Sequence, residues 1–219
     1  MKQCVLLFVK YPEPGMVKTR MLSEVGAEEA AGLYKAMVED VLEAVQWLDE
    51  ADLTLCCHPR ERLEEMRHWL GPDKSYAAQR GRDLGARMRN AFAAAFAKGY
   101  ERVVLVGSDI PDLDDNALRE ALESLDGDAA CIGPARDGGY WLIGFSAAGF
   151  APEAFTEVAW GTDRVLGQTL RWLDFGKKKI TLLEERRDVD RRADLCALFK
   201  AGRLKPGSRC AAWAKRLCA

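Results

Sequence analysis

The sequence predicts an α/β fold, a mostly parallel central sheet with helices on both faces. Three observations carry this. Apolar, β-branched runs of strand length recur along the chain, as at 4–9 and 102–106, and such runs suit strands covered on both sides. Segments with apolar side chains three and four residues apart alternate with them. The unusual loops, at 10–20, 107–112 and 134–139, all follow strands, the edge of such a sheet where ligands bind.

In chain order, residues 4–9 form the first strand, and a loop holding Pro12, Pro14 and Gly15 follows. From 27 to 48, Ala30, Leu33, Tyr34, Met37, Val38, Val41, Ala44, Val45 and Leu48 trace one helical stripe. Residues 53–57 are a strand closed by Pro59, and 61–70 a helix stopped by Gly71-Pro72. A weak strand near Tyr76 leads to 79–83 and then to a helix whose face carries Leu84, Met88, Phe92 and Phe96. Residues 102–106 are a buried strand, 116–125 a helix and 129–133 extended. Gly138-Gly139 turns the chain into a strand at 140–143. Residues 163–173 are helical, 179–183 extended and 191–199 helical, leaving 206–219 as a C-terminal tail on a single domain spanning 1–219.

Composition narrows the function. The 219 residues carry 32 basic and 34 acidic side chains, a net charge of −2, with 48% apolar and 30% charged residues, as in an ordinary globular protein. A nucleic-acid binder would show a basic excess. No stretch is long and apolar enough to span a bilayer, and the first nine residues are too short a run for a signal peptide, so the expected address is cytoplasmic. The seven cysteines show no C-x-x-C pair and no zinc spacing. Cys4, Cys56 and Cys131 read as small buried hydrophobes. The sequence offers no disulfide framework, although one bond among Cys196, Cys210 and Cys218 stays open.

The three loops carry the chemistry. Lys10-Tyr-Pro-Glu-Pro-Gly-Met-Val-Lys-Thr-Arg20 combines stiff prolines, a permissive Gly15 and three cations, Lys10, Lys18 and Arg20, within reach of one anion. Phosphate is the obvious guest, and a solvated basic loop is the bland alternative. The P-loop spacing is not met, since Val17 occupies the second glycine position. Ser108 and Asp109 end a buried strand. Asp109 suits a divalent ion that bridges phosphates, or the pair simply turns the chain. Asp137-Gly138-Gly139 suits a tight turn, and the two glycines leave bare backbone for a sugar or nucleotide. Gln79 and Arg82 lie in a segment that brings a helix N-terminus within reach of phosphate, with Asp83 as its cap. Asp188-Val-Asp190 fits capping, and its alternate acids also offer metal oxygens. His58 and His68 lack a carboxylate pattern, and no G-x-S-x-G supports a hydrolase triad.

Taken together, Phe8-Val-Lys-Tyr-Pro-Glu-Pro-Gly-Met-Val-Lys-Thr-Arg-Met21, Gln79-x-Gly81-x-Asp-Leu-Gly85-x-Arg-Met88, Gly107-Ser-Asp-x-Pro-Asp-Leu113 and Gly133-Pro-Ala-x-Asp-Gly-Gly-Tyr140 resemble the radical-SAM/selenodomain-associated transferases, which belong with the GT-A-type nucleotide-diphospho-sugar transferases. The resemblance covers roughly 4–194. It implies a Rossmann-like GT-A fold (an αβα sandwich) and a nucleotide or nucleotide-sugar donor held with Mg²⁺ or Mn²⁺. By position, Lys10, Lys18 and Arg20 would hold the donor phosphates, with Gly15, Gln79, Arg82, Ser108, Gly138 and Gly139 around the nucleotide, and Asp109 would bind metal. This sequence departs from the usual Asp-x-Asp, so a partner carboxylate must come from Asp190 or Asp137. Asp190 is the expected second ligand, and Asp137 would orient the small-molecule acceptor and serve as base beside a charge-stabilising Lys18. Glycosyl transfer is the leading expectation. Nucleotidyl transfer with pyrophosphate release is the alternative, and a degenerate binding module without a full metal site is the third. The sequence leaves the oligomeric state open.

Overall fold

The computed structural model describes residues 1–46 and 48–218; positions 47 and 219, inside the expected helix and tail, lie outside the described residues. Seven strands form one sheet: β1 (Gln3–Lys10), β2 (Ala51–His58), β3 (Ser75–Ala78), β4 (Arg102–Gly107), β5 (Ala129–Pro134), β6 (Tyr140–Ser146) and β7 (Lys179–Leu182). Their spatial order is β3-β2-β1-β4-β6-β5-β7. Every pairing is parallel except those of β6, which runs antiparallel to both β4 and β5.

The helices are α1 (Leu22–Val25), α2 (Ala27–Val45), α3 (Leu63–Leu70), α4 (Leu84–Ala97), α5 (Asp115–Glu123), α6 (Val165–Phe175), α7 (Arg192–Lys200) and α8 (Arg209–Leu217). Alternation along β1 divides the core. Val5, Leu7 and Val9 face α2, α3 and α5, whereas Cys4, Leu6 and Phe8 face α4 and α6. Both layers of helices are therefore required by a strand apolar on both sides, and the αβα sandwich follows. A third cluster packs the outer face of α2, through Ala30, Leu33 and Met37, against α7 and α8. There a Cβ on Gly32 would stand 2.8 Å from the Trp213 ring, so the missing side chain lets α8 approach.

One expectation changes and one open point is settled. The tail at 206–219 contains a helix, α8, capped by the Ser208 hydroxyl, which accepts from the Ala211 N–H. Its fully buried residues are the small Cys210, Ala211 and Ala214, with Trp213 and Leu217 half-buried beside them. That helix folds against α7 and brings Cys196 and Cys218 together in a disulfide, while Cys4, Cys56, Cys57, Cys131 and Cys210 are buried free thiols. No helix among the described residues is long and apolar enough to cross a membrane.

Candidate active site

The three strand-tip loops meet in one cavity of about 430 Å³. Its frame is set by Tyr34, which reaches from α2 to the tips of two neighbouring strands. The hydroxyl accepts the Lys10 N–H at 2.9 Å and shares a 3.0 Å hydrogen bond with the Ser108 hydroxyl. Burial, and then the charge of Asp109, pushes this phenol well above its ordinary value, so it stays neutral. Ser108, expected at the nucleotide, lines the cavity with its hydroxyl committed to Tyr34.

Lys18 adopts a left-handed backbone, φ 47° and ψ 43°, just before the 3₁₀ turn Thr19–Met21. A non-glycine residue there costs about 1–2 kcal/mol, and strain of this kind collects at functional sites. The turn buries the side chain, only 3% exposed, and brings its Nζ 2.8 Å from Asp109 Oδ1 and 3.5 Å from Asp190 Oδ1. Arg20 Nη1 pairs with Asp190 Oδ2 at 2.8 Å. Lys10 is exposed and lines the cavity.

The acids come from three places. Asp109 follows β4, Asp137 lies in the β5–β6 turn, and Asp188 and Asp190 flank the fully buried Val189. Val189 N–H donates to the Asp109 carbonyl at 3.0 Å, which pins this segment to the β4 tip. Asp188 is the residue that reasoning from sequence undervalued. Its carboxyl is pushed up to about 8, first by burial and then by the charges of Asp109 and Asp137. One of its oxygens, Oδ1, is buried without a hydrogen-bond partner among the described residues. The signal was present in the acid–Val–acid alternation, which places both carboxylates on one side when the Val faces the core. Capping of α7 falls instead to Asp194, whose Oδ2 accepts the Arg191 N–H at 2.9 Å.

Other expected residues divide. Asp137 lines the cavity and accepts the Gly139 N–H at 2.9 Å, an Asx turn, and Gly139 lines it too. Gln79 is in the wall, with its amide donating to the Cys56 carbonyl at 2.8 Å. Three residues lie outside the lining. Arg82 points to solvent, 93% exposed, because Asp83 turns outward to cap α4 at the Ala86 N–H and pairs with it at 3.3 Å. Gly15 (φ 81°) serves the turn and faces open space. Gly138 (φ 87°) has its bare face filled by the chain itself, since a Cβ there would meet the Asp163 carbonyl oxygen at 2.2 Å. The lining also includes apolar side chains, among them Met88, Leu105, Trp160 and Val165, and the aromatic ring of Tyr140.

Comparison with known proteins bears on the family and the fold. A family model described as "Uncharacterized protein conserved in bacteria (DUF2064)" matches residues 41–162. A candidate nucleotide-diphospho-sugar transferase from Desulfovibrio desulfuricans is 41% identical, with a TM-score of 0.93 over 99% of this chain and 95% of that one. A mannose-1-phosphate geranyltransferase from Thermus thermophilus (16% identity, TM-score 0.57, 94% of this chain and 81% of that one) shares the fold. So does a nucleotidyl transferase from Methanothermobacter thermautotroptrophicus (17%, 0.55, 89% and 95%). No curated protein sequence matches.

Proposed function

The chain belongs to the DUF2064 family and is a transferase with the nucleotide-diphospho-sugar transferase fold, and we propose that it moves a sugar from a nucleoside-diphosphate sugar to a small acceptor. One observation carries this reading: Lys18 Nζ stands 2.8 Å from Asp109 Oδ1 in the cavity where the β1 and β4 loops meet. Cations and acids that are far apart in sequence thereby face one set of donor phosphates.

A divalent ion fits the donor set. No group of three metal-ligating side chains stands preassembled among the described residues, but Mg²⁺ is commonly held by one or two carboxylates together with substrate phosphates. Asp188, with an unpartnered buried oxygen and a carboxyl pushed up to about 8, marks a place short of positive charge. One or two of Asp109, Asp188 and Asp190, together with the donor phosphates, would hold the ion, which when bound offsets the charge of the leaving diphosphate.

The chain's own residues do the rest. Lys10 and Arg20 bind the donor phosphates, and Lys18 faces the charge that develops as the glycosidic C–O bond breaks. The acceptor oxygen bonds to the anomeric carbon as the bond from that carbon to the leaving diphosphate breaks. Asp137 takes its proton, acting as general base. Incubation with UDP-, GDP- and other nucleotide sugars plus Mn²⁺ should release the nucleoside diphosphate. Pyrophosphate released from a nucleoside triphosphate and a phosphorylated acceptor would assign nucleotidyl transfer instead. Absence of both products and of any nucleotide binding would overturn the reading.

A further inference from the structure

A second cavity, of about 290 Å³, lies between α4 and the face of β1, β2 and β3 that α4 only partly covers. Small residues open it: Ala77 and Ala78 at the end of β3 and Ala91 and Ala94 on α4 are all in its lining, with the Ala77 methyl on the α4 side of the sheet. Its floor is uncharged at neutral pH. Cys4 and Cys56 line it as buried thiols, and burial pushes Cys4 up to about 11 and Cys56 higher still. Thr54 is only 9% exposed. Its hydroxyl accepts the Cys4 thiol at a long 4.0 Å, and its own proton has no acceptor among the described residues. The charged side chains in the lining are Arg80, Arg87 and Lys98, with no carboxylate among them. None of these three forms an ion pair among the described residues, in a chain that is net negative and rich in surface ion pairs.

We propose that this trough is a binding site for a small organic anion, a carboxylate or phosphate headed by the unpaired cations, with a compact apolar body on the Ala–Cys floor. A space of 290 Å³ accepts about ten non-hydrogen atoms at roughly 30 Å³ each. Among the described residues, the one acid bonded to a lining residue, Asp52, accepts the Tyr100 hydroxyl at 2.7 Å and pairs with none of the three cations, so these stay open to an anion, and the apolar floor favours a tail over water. Gln79 and Arg87 line both cavities, so a ligand here shares two wall residues with the transferase site. The proposal does not depend on the transfer reaction, because binding is measured without nucleotide.

The probes are octanoate and hexyl phosphate, titrated calorimetrically into the full chain at low salt, with octanol and inorganic phosphate as single-feature controls. At least one of the two organic anions should bind, and each control should bind at least about tenfold more weakly. The double variant Arg80→Ala/Lys98→Ala removes two exposed cations and should weaken binding about tenfold. Ala94→Phe, on an exposed helix position, fills the trough and should abolish binding while the melting temperature is retained. Unchanged affinity in a folded double variant, unchanged affinity in a folded Ala94→Phe, inorganic phosphate binding as well as the organic anions, or no binding of either organic anion would each overturn the proposal.

Discussion

Replacing Asp188 with Asn should stabilise the metal-free protein, and by an amount that depends on pH. The unfolded carboxyl titrates near its ordinary value of 3.8, and the folded one near 8. Between those values the folded chain keeps a proton that the unfolded chain has lost. Stability therefore falls by about 1.36 kcal/mol per pH unit as pH rises from about 4 to about 8, and it is flat outside that window. At pH 7 the ceiling is about 4 kcal/mol, reduced where water reaches the carboxyl. Asn keeps the shape and cannot ionise. The variant should match the wild type near pH 4 and exceed it at pH 7 by at most about 8–16 °C in melting temperature, at about 2–4 °C per kcal/mol for a chain of this size. Thermal unfolding in EDTA from pH 4 to 8.5 measures this directly. Mn²⁺ should then stabilise the wild type, by about 2.7 kcal/mol at a hundred times its dissociation constant, and the variant much less. A variant-minus-wild-type difference that does not change with pH would refute the electrostatic account of Asp188.

Lys18→Met should lower the transfer rate about 10²–10³-fold by removing the ammonium that faces the developing charge. Arg82→Ala, a change at a 93% exposed side chain, should leave nucleotide affinity and rate unchanged, and nucleotide titration of both variants checks the contrast. Tyr34→Phe should cost about 1–3 kcal/mol in urea unfolding, because the part-buried Lys10 N–H and the buried Ser108 hydroxyl lose their shared partner. Gly138→Ala should cost at least about 2 kcal/mol in the same assay, since it combines φ 87° with a Cβ 2.2 Å from the Asp163 carbonyl oxygen.

Much of this architecture is legible from sequence because continuous apolar runs such as those of β1 and β4 have few alternatives to a strand covered on both faces. The convergence of the loops after β1, β4 and β5 follows from the parallel order. What stays hidden is decided by side-chain direction. Lys18 and Arg82 are both basic residues beside a glycine loop, and nothing local separates them. The left-handed turn carries Lys18 inward, whereas the outward cap Asp83 carries Arg82 to solvent. Tyr34 occupies a position in the apolar stripe of α2, so its hydroxyl's link between two strand tips is invisible before α2 is laid on the sheet. Helix α8 fully buries only the small Cys210, Ala211 and Ala214, with Trp213 and Leu217 half-buried beside them among Arg209, Lys215 and Arg216, and the surface that receives this face exists only once α2 and α7 are in place.

The one reversed strand explains how the turn between β5 and β6 joins the site. A strand parallel to its neighbours would begin at the far edge of the sheet, and the loop before it would lie there too. Because β6 runs antiparallel, it begins where β5 ends, and its register pairs Gly133 with Leu142 and Pro134 with Tyr140. The five residues between Pro134 and Tyr140 therefore fall at the carboxyl edge, beside the tips of β1 and β4. Asp137 reaches the cavity by this reversal, and Tyr140 and Trp141, on opposite faces of the strand, enter the two core layers directly behind it. Trp141 anchors the turn from one side through its indole N–H, which donates to the Glu184 carbonyl at 3.1 Å. Gly138 anchors it from the other, with its carbonyl accepting the Leu166 N–H at 2.9 Å. The turn is thus fixed on both flanks, and the Asp137 carboxylate is held by structure that a flexible loop of the same sequence would not supply.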